Sequence, residues 1–325
     1  MKNNFNSNIK DINLRQSFAK LHKSINTGSY QTKNTYRKAV QPMLNYFNEN
    51  FRITRMESIK SKHLESWVEY RLYETETDTS TIRKEIAAIK YYLNHTNLPP
   101  ENYNITNKEL GISRADEDIR PKLHSMTETE YQKAVELTES QGKDFENYGI
   151  RLMATCGLRL NELVNLTVRQ IDNASETGIL ELQKGCKGGR YREITLDNDG
   201  KSLIHEIAQS RFCQDRYLDD KIFVDSNKSG AVASRKSQLQ GWFSRYGEQI
   251  KDPETDSLSC HSVRRFAAQR VYDSCRNVGL SPQESLYRVA EFLGHSSYRG
   301  RLEYNEDGTL SKKTGDVTLR YVDIW

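Results

Sequence analysis

The chain has 325 residues, 36% of them hydrophobic and 28% charged, with a formal net charge of +4. That length allows two domains, each with its own core, and that balance excludes an intrinsically disordered chain. No apolar run is long enough to cross a bilayer, and the opening "MKNNFNSNIK" lacks the apolar stretch of a signal peptide, so a cytoplasmic protein without a membrane partner is expected.

Residues 1–30 are polar and Asn-rich and read as a flexible basic segment. Residues 1–60 carry eleven Lys/Arg against Asp11, Glu49 and Glu57. A basic lobe of this kind suits a polyanion such as nucleic acid, or is a solvated surface; charge alone does not choose. "TYRKAVQPMLNYF" sets Tyr36, Val40, Leu44 and Phe47 at helical spacing, with Pro42 expected to kink the helix. "KHLESWVEYRLYE" is helix-like, and "TSTIRKEIAAIKYYL" puts Ile82, Ile86, Ile89 and Leu93 on one stripe. Residues 31–98 therefore form a small helical domain, closed by Leu98-Pro99-Pro100, and 99–126 read as a linker.

A second domain, 127–325, opens where Thr127 and Glu130 form a capping box. Helical segments are expected at about 127–140 and 144–170. The period then changes: "GILELQ" and "YREITL" flank "KGCKGGR", a hairpin with a glycine-rich basic tip carrying Lys184, Lys187, Arg190 and Arg192. Helical material follows from about 200 to 298. The five cysteines, Cys156, Cys186, Cys213, Cys260 and Cys275, are odd in number and form no CxxC pair, which argues against a zinc site or a disulfide framework.

Several scattered pieces carry chemistry. "TCGLRLNEL" places Arg159 in a helix-like context with Glu162 at i+3; a structural ion pair is the plainer reading of those two alone. "CHSVRRF" sets His261 and Arg264 three apart, so one helix can aim both at one point. "EFLGHSS" puts His295 just after a glycine, and "TLRYVDIW" carries Tyr321, with Tyr298 and Tyr304 as rivals. Two guanidiniums can grip both non-bridging oxygens of a phosphodiester, whose charge grows in the transition state. A phenol, with a reference pKa of about 10, becomes a usable nucleophile beside fixed cations. A lysine on a flexible tip can protonate the departing alkoxide, and histidines can relay protons or donate to phosphate. The set describes metal-free, cofactor-free phosphoryl transfer through a phosphotyrosine, which conserves the energy of the broken linkage for rejoining.

In this order the pieces resemble the tyrosine recombinases, the family of phage integrases and chromosome-dimer resolvases. "ATCGLRLNELVNL" is similar to the segment of the first catalytic arginine (Arg159), with Glu162 where the family helps hold that arginine. "KGCKGGRYREITL" resembles the lysine hairpin, with Lys187 in the catalytic register and Lys184 as its rival. "HSVRR" matches H-x-x-R through His261 and Arg264, "LGHSS" the second histidine through His295, and "TLRY" the T-x-x-Y nucleophile through Thr318 and Tyr321. The resemblance implies a mainly α fold with a small β-sheet: a helical, SAM-like core-binding domain and a mixed α/β catalytic domain closing on DNA. It implies a homotetramer on double-stranded DNA with inverted-repeat core sites, an accessory or directionality protein, and DNA contacts from Lys33, Arg37, Lys38, Lys184, Arg190 and Arg192.

Two features depart from the family pattern. His295 and Tyr321 lie further apart than in most members, and the extra residues, about 299–316, read as an inserted hairpin for subunit coupling or DNA contact. Only Val322–Trp325 follow the tyrosine here, without the longer tail that relatives dock on a neighbour. Rival readings are a type IB topoisomerase, an inactive DNA-binding regulator on the same fold, and a metal-dependent nuclease. The last would need clustered carboxylates that the sequence does not show.

Overall fold

The computed structural model describes residues 8–113, 125–182, 191–225, 228–255, 257–295 and 318–324. They fall into two compact units, Met1–Glu117 and Asp118–Trp325, divided inside the segment expected to be the linker.

The N-terminal unit is helical: α1 (Ile12–Ser24), α2 (Tyr30–Phe51), α3 (Ser61–Glu69), which runs into a π-helical turn at Tyr70–Glu74, and α4 (Thr79–Leu93). The expected stripe Ile82, Ile86, Ile89, Leu93 is buried, as are Val40, Leu44 and Phe47. Pro42 sits inside α2, which continues past it. Two expectations are corrected. The first thirty residues are not simply loose, because α1 is a folded helix. Asp11 caps it by accepting from the Leu14 amide at 2.7 Å, and Ile9, Leu14, Phe18 and Ile25 enter the core. Nor is the stretch after Pro99 merely a connector, since Tyr103, Ile105, Leu110 and Ile112 pack into the same core.

The C-terminal unit begins with α5 (Glu128–Ser140), opened by the Thr127–Glu130 box, in which each residue's side chain takes the other's amide. Glu130 is buried and also accepts from the Asp252 amide and the Thr255 hydroxyl. α6 (Asp144–Cys156), α7 (Leu160–Leu163) and α8 (Val168–Thr177) replace the single helix expected at 144–170. The break is at Gly157, with φ of 56°, a left-handed C-cap that β-carbon-bearing residues rarely adopt. β1 (Ile179–Leu182) and β2 (Arg192–Thr195) pair antiparallel in the register Leu182↔Arg192 to Ile179↔Thr195, as the alternation led one to expect. α9 (Asn198–Ala208), α10 (Ala231–Ile250), α11 (Cys260–Asn277) and α12 (Pro282–Leu293) follow. α11 is central and packs on both α6 and α12. A separate apolar cluster joins α11 and α12 to the C-terminal segment through Ala268, Tyr272, Leu286, Leu293, Leu319 and Val322. Among the described residues no helix is long and apolar enough to cross a membrane.

Candidate active site

The site is assembled around a buried carboxylate. Gly157 ends α6 and turns the chain, leaving Arg159 in extended backbone as the N-cap of α7 rather than within a helix. Glu162, at the third helical position, reaches back to the Arg159 amide through Oε2 at 2.8 Å, and Arg159 Nη1 donates to Oε1 at 2.7 Å. Glu162 is fully buried. Burial would raise its pKa, but Arg192, the Arg159 amide, Arg264 and Arg159 outweigh that and hold it below the ordinary carboxylate range.

Arg264 lies on the second turn of α11, fully buried among the ends of other elements. It donates to the Gly157 carbonyl and, at 2.7 Å, to the Leu293 carbonyl, and its Nη1 lies 3.8 Å from Glu162 Oε2. Burial, then the neighbouring Arg159 and Arg192 charges, push its pKa down to about 10, which still leaves it charged at neutral pH. His261 is one turn earlier and exposed. Partial desolvation, followed by the charges of Arg265, Arg264 and Arg159, lowers its pKa and favours the neutral ring.

The C-terminal segment completes the arrangement. α12 ends at Gly294 with φ of 64°, which turns His295 back toward residues 318–321. His295 Nδ1 and the buried Thr318 hydroxyl are 3.1 Å apart, and Thr318 opens a 3₁₀ turn, Thr318–Arg320. The Tyr321 amide donates to the Thr318 carbonyl at 2.9 Å. Leu319 and Val322 are buried against α11 and α12, and Gln269 exchanges two hydrogen bonds with the Asp323 backbone. These contacts set the Tyr321 ring 5.1 Å, centroid to centroid, from His295, with the guanidinium carbon of Arg264 at 5.6 Å and that of Arg265 at 5.8 Å. Arg159 and Arg264 thus meet at Glu162, Arg264 and His295 flank the Tyr321 ring, and His261 lies one turn of α11 from Arg264.

Other expected residues fall elsewhere. Lys184, Lys187, Arg190 and the 299–316 insertion lie outside the described residues. Arg192, expected on the tip among the DNA-contacting cations, is instead buried: Ile194, two residues on along β2, faces the core, and the strand period of two carries Arg192 to that face. Lys33 donates to the Ile25 carbonyl and Arg37 to Asn34 Oδ1 at 2.9 Å, both half-buried on α2, while Lys38 is exposed. Arg265 was not singled out from the sequence as a site residue. Its signal is adjacency to Arg264, and burial shows that it is not the surface charge its composition suggests. Among the described residues no three His, Cys, Asp or Glu side chains cluster as metal ligands. Cys156, Cys213, Cys260 and Cys275 are free thiols, and burial raises the pKa of each.

The profile described as "Phage integrase family" matches residues 124–307, and "Phage integrase, N-terminal" matches residues 12–96. No curated protein matches the chain. Among solved structures, the Tn1549 transposon integrase in complex with transposon right end DNA is similar at a TM-score of 0.59 and 17% identity, over 87% of this chain and 92% of that one. A lambda integrase tetramer bound to a Holliday junction is similar at 0.57 and 15% identity, over 88% of this chain and 75% of that one. At such identities the likeness is one of fold, and membership rests on the two profiles. The chain belongs to the phage integrase family.

Proposed function

For a member of the phage integrase family with this arrangement, we propose a site-specific tyrosine recombinase that cleaves and rejoins DNA without a metal or cofactor. The Tyr321 oxygen attacks a scissile phosphorus. A bond forms between them, the P–O5′ bond breaks, and the 5′-oxygen leaves as a hydroxyl, protonated by Lys187. The phenol proton passes to a neighbouring base, for which the neutral ring of His261 is suited. A 3′-phosphotyrosine results, and the 5′-hydroxyl of a partner strand reverses the step. Arg159 and Arg264 hold the non-bridging oxygens, and His295 steadies the tyrosine segment through Thr318.

The observation that carries this reading is the excess of positive charge near Tyr321 among the described residues: Arg159, Arg192 and Arg264 gather on the single carboxylate of Glu162, and Arg264 also faces the phenol ring. A site with more cations than counter-charge is made for a polyanion. By the same reading the protein acts on double-stranded DNA as a homotetramer, two protomers to a site of inverted repeats, in the service of a mobile element. The basic α2 face contributes phosphate contacts, so binding should weaken steeply with salt.

The test is a nicked duplex carrying a site that the protein itself selects from a random pool. The short downstream piece, which carries the freed 5′-hydroxyl, diffuses away and traps the intermediate. A covalent protein–DNA band on a denaturing gel is expected, insensitive to EDTA. No such band, or one abolished by EDTA, contradicts the proposal. Site-independent relaxation of plasmid by a monomer would favour a topoisomerase instead.

A further inference from the structure

Arg192 and Arg264 grip the same acceptors from opposite parts of the fold. Arg192 Nη2 is 2.7 Å from Glu162 Oε2 and 3.3 Å from the Gly157 carbonyl, and its Nη1 donates to the Phe292 carbonyl. Arg264 donates to the same Gly157 carbonyl and to the next carbonyl along α12, that of Leu293, and stands 3.8 Å from the same Glu162 oxygen. The two guanidiniums therefore share the carboxyl end of α12, where terminal carbonyls without helical donors favour cations, and one carboxylate. Arg192 holds the shorter ion pair, so the charge of Glu162 is largely committed to it and to Arg159. The charge of Arg264 is left over.

The stem of Arg192 also explains a glycine. A β-carbon on Gly294 would lie 2.6 Å from Arg192 Cδ, so the residue before His295 is kept small by an arginine from β2. Similarly, a β-carbon on Gly157 would lie 2.5 Å from Phe292 Cε1. Arg192 thus touches the α6–α7 turn that carries Arg159, the α12 end that carries His295, and Glu162. Among the described residues its own backbone forms the pair nearest the turn, opposite Leu182.

We propose that Arg192 is a positioning residue for the phosphate clamp: by neutralising Glu162 and bridging the ends of α6 and α12, it keeps the Arg264 charge available to the scissile phosphate and ties the turn-side end of β2 to that clamp. It contacts neither DNA nor the reacting atoms. This rests on the recombinase reading above. A lysine could not replace it, because one ammonium cannot span the planar fork of acceptors that the guanidinium bridges.

The experiment compares wild type with Arg192→Gln and Arg192→Lys in single-turnover cleavage at saturating DNA, using both a normal scissile phosphate and a neutral methylphosphonate. Thermal melting and DNA affinity are measured alongside. A loss of about 10²-fold in the first-order rate is expected on normal DNA, from displacement of one preorganised donor. Affinity should stay within about twofold, since the residue is buried rather than on the DNA face. The loss should shrink on the methylphosphonate, which has one fewer charged oxygen for Arg264 to serve. An equal loss on both substrates, or wild-type rates in a folded Arg192→Gln, overturns the proposal. If Arg192→Gln does not fold, Arg192→Lys carries the same comparison. Failure of wild type to form the covalent complex would strike the recombinase reading itself, a distinct outcome.

Discussion

Glu85 in the N-terminal unit and Glu162 in the C-terminal unit are both buried carboxylates held by arginine, yet their charge balance differs. Glu85 meets Arg71 through both oxygens, at 2.8 and 3.1 Å, and takes the Trp67 indole N–H at 2.9 Å. One anion faces one cation, the Trp67 ring packs 5.4 Å from the same guanidinium, and the pair is self-sufficient. Glu162 faces Arg159, Arg192 and Arg264. The buried Nε atoms of Arg192 and Arg264 have no acceptor among the described residues. A balanced pair ties helices together. An unbalanced one raises the free energy of the folded protein until an anion arrives, and such a cost is retained where it serves chemistry.

The sharpest way to break this contrast is Arg264→Ala. Loss of a preorganised cation should lower the cleavage rate by on the order of 10³, read in single turnover, with DNA still bound. If a folded Arg264→Ala cleaves normally, the excess charge has no catalytic meaning. Glu162→Gln comes next. It strands three guanidiniums and should cost about 3–5 kcal/mol by denaturant titration. Its pH dependence has a definite sign. The native pKa of Glu162 is depressed, so its stabilisation is complete above the ordinary carboxylate range and is lost as pH falls through the lower native value. The stability gap between wild type and Glu162→Gln should therefore hold steady near neutrality and close only in acid, below about pH 4. A gap that widens on acidification would contradict the ion-pair account.

Thr318→Val should matter less. It removes the hydroxyl partner of His295 and loosens the Tyr321 segment by about 1 kcal/mol, a several-fold slower cleavage. The smallest effect on chemistry should come from Glu85→Gln, which sharpens the contrast from the other side. It should lower stability by about 2 kcal/mol and leave the cleavage rate of bound protein unchanged within about twofold. A large rate loss there would erase the distinction between the two glutamates.

Much of this was legible in the chain. His261 and Arg264 fall on one helix because they are three apart, and the Thr127–Glu130 box and the β-hairpin follow from local rules that tertiary packing did not override. α1 was hidden because Asn and Lys dilute its spacing, although Asp11 followed by Leu14, Phe18 and Leu21 is a capped amphipathic pattern. Arg159 was placed in a helix because its apolar neighbours suggest one. Only the left-handed turn at Gly157, where the close approach of Phe292 from a distant helix leaves no room for a β-carbon, puts it at an N-cap. Arg192 was misplaced because basic residues near a glycine-rich tip suggest solvent. Its alternation with Ile194 pointed inward, but the carboxylate and carbonyls that make an inward arginine tolerable come from residues 30 to 100 positions away. Local pattern can give the direction of such a side chain, and only the assembled fold supplies its partners.

Whether the Tyr321 oxygen bonds to DNA phosphorus is decided by peptide mapping of the trapped complex. The covalent adduct would be digested with protease and nuclease, and the modified peptide sequenced by mass spectrometry. A 3′-nucleotide on Tyr321 is expected, with no adduct in Tyr321→Phe. A nucleotide on Tyr298, Tyr304 or any other side chain, or one joined through its 5′ end, would contradict it.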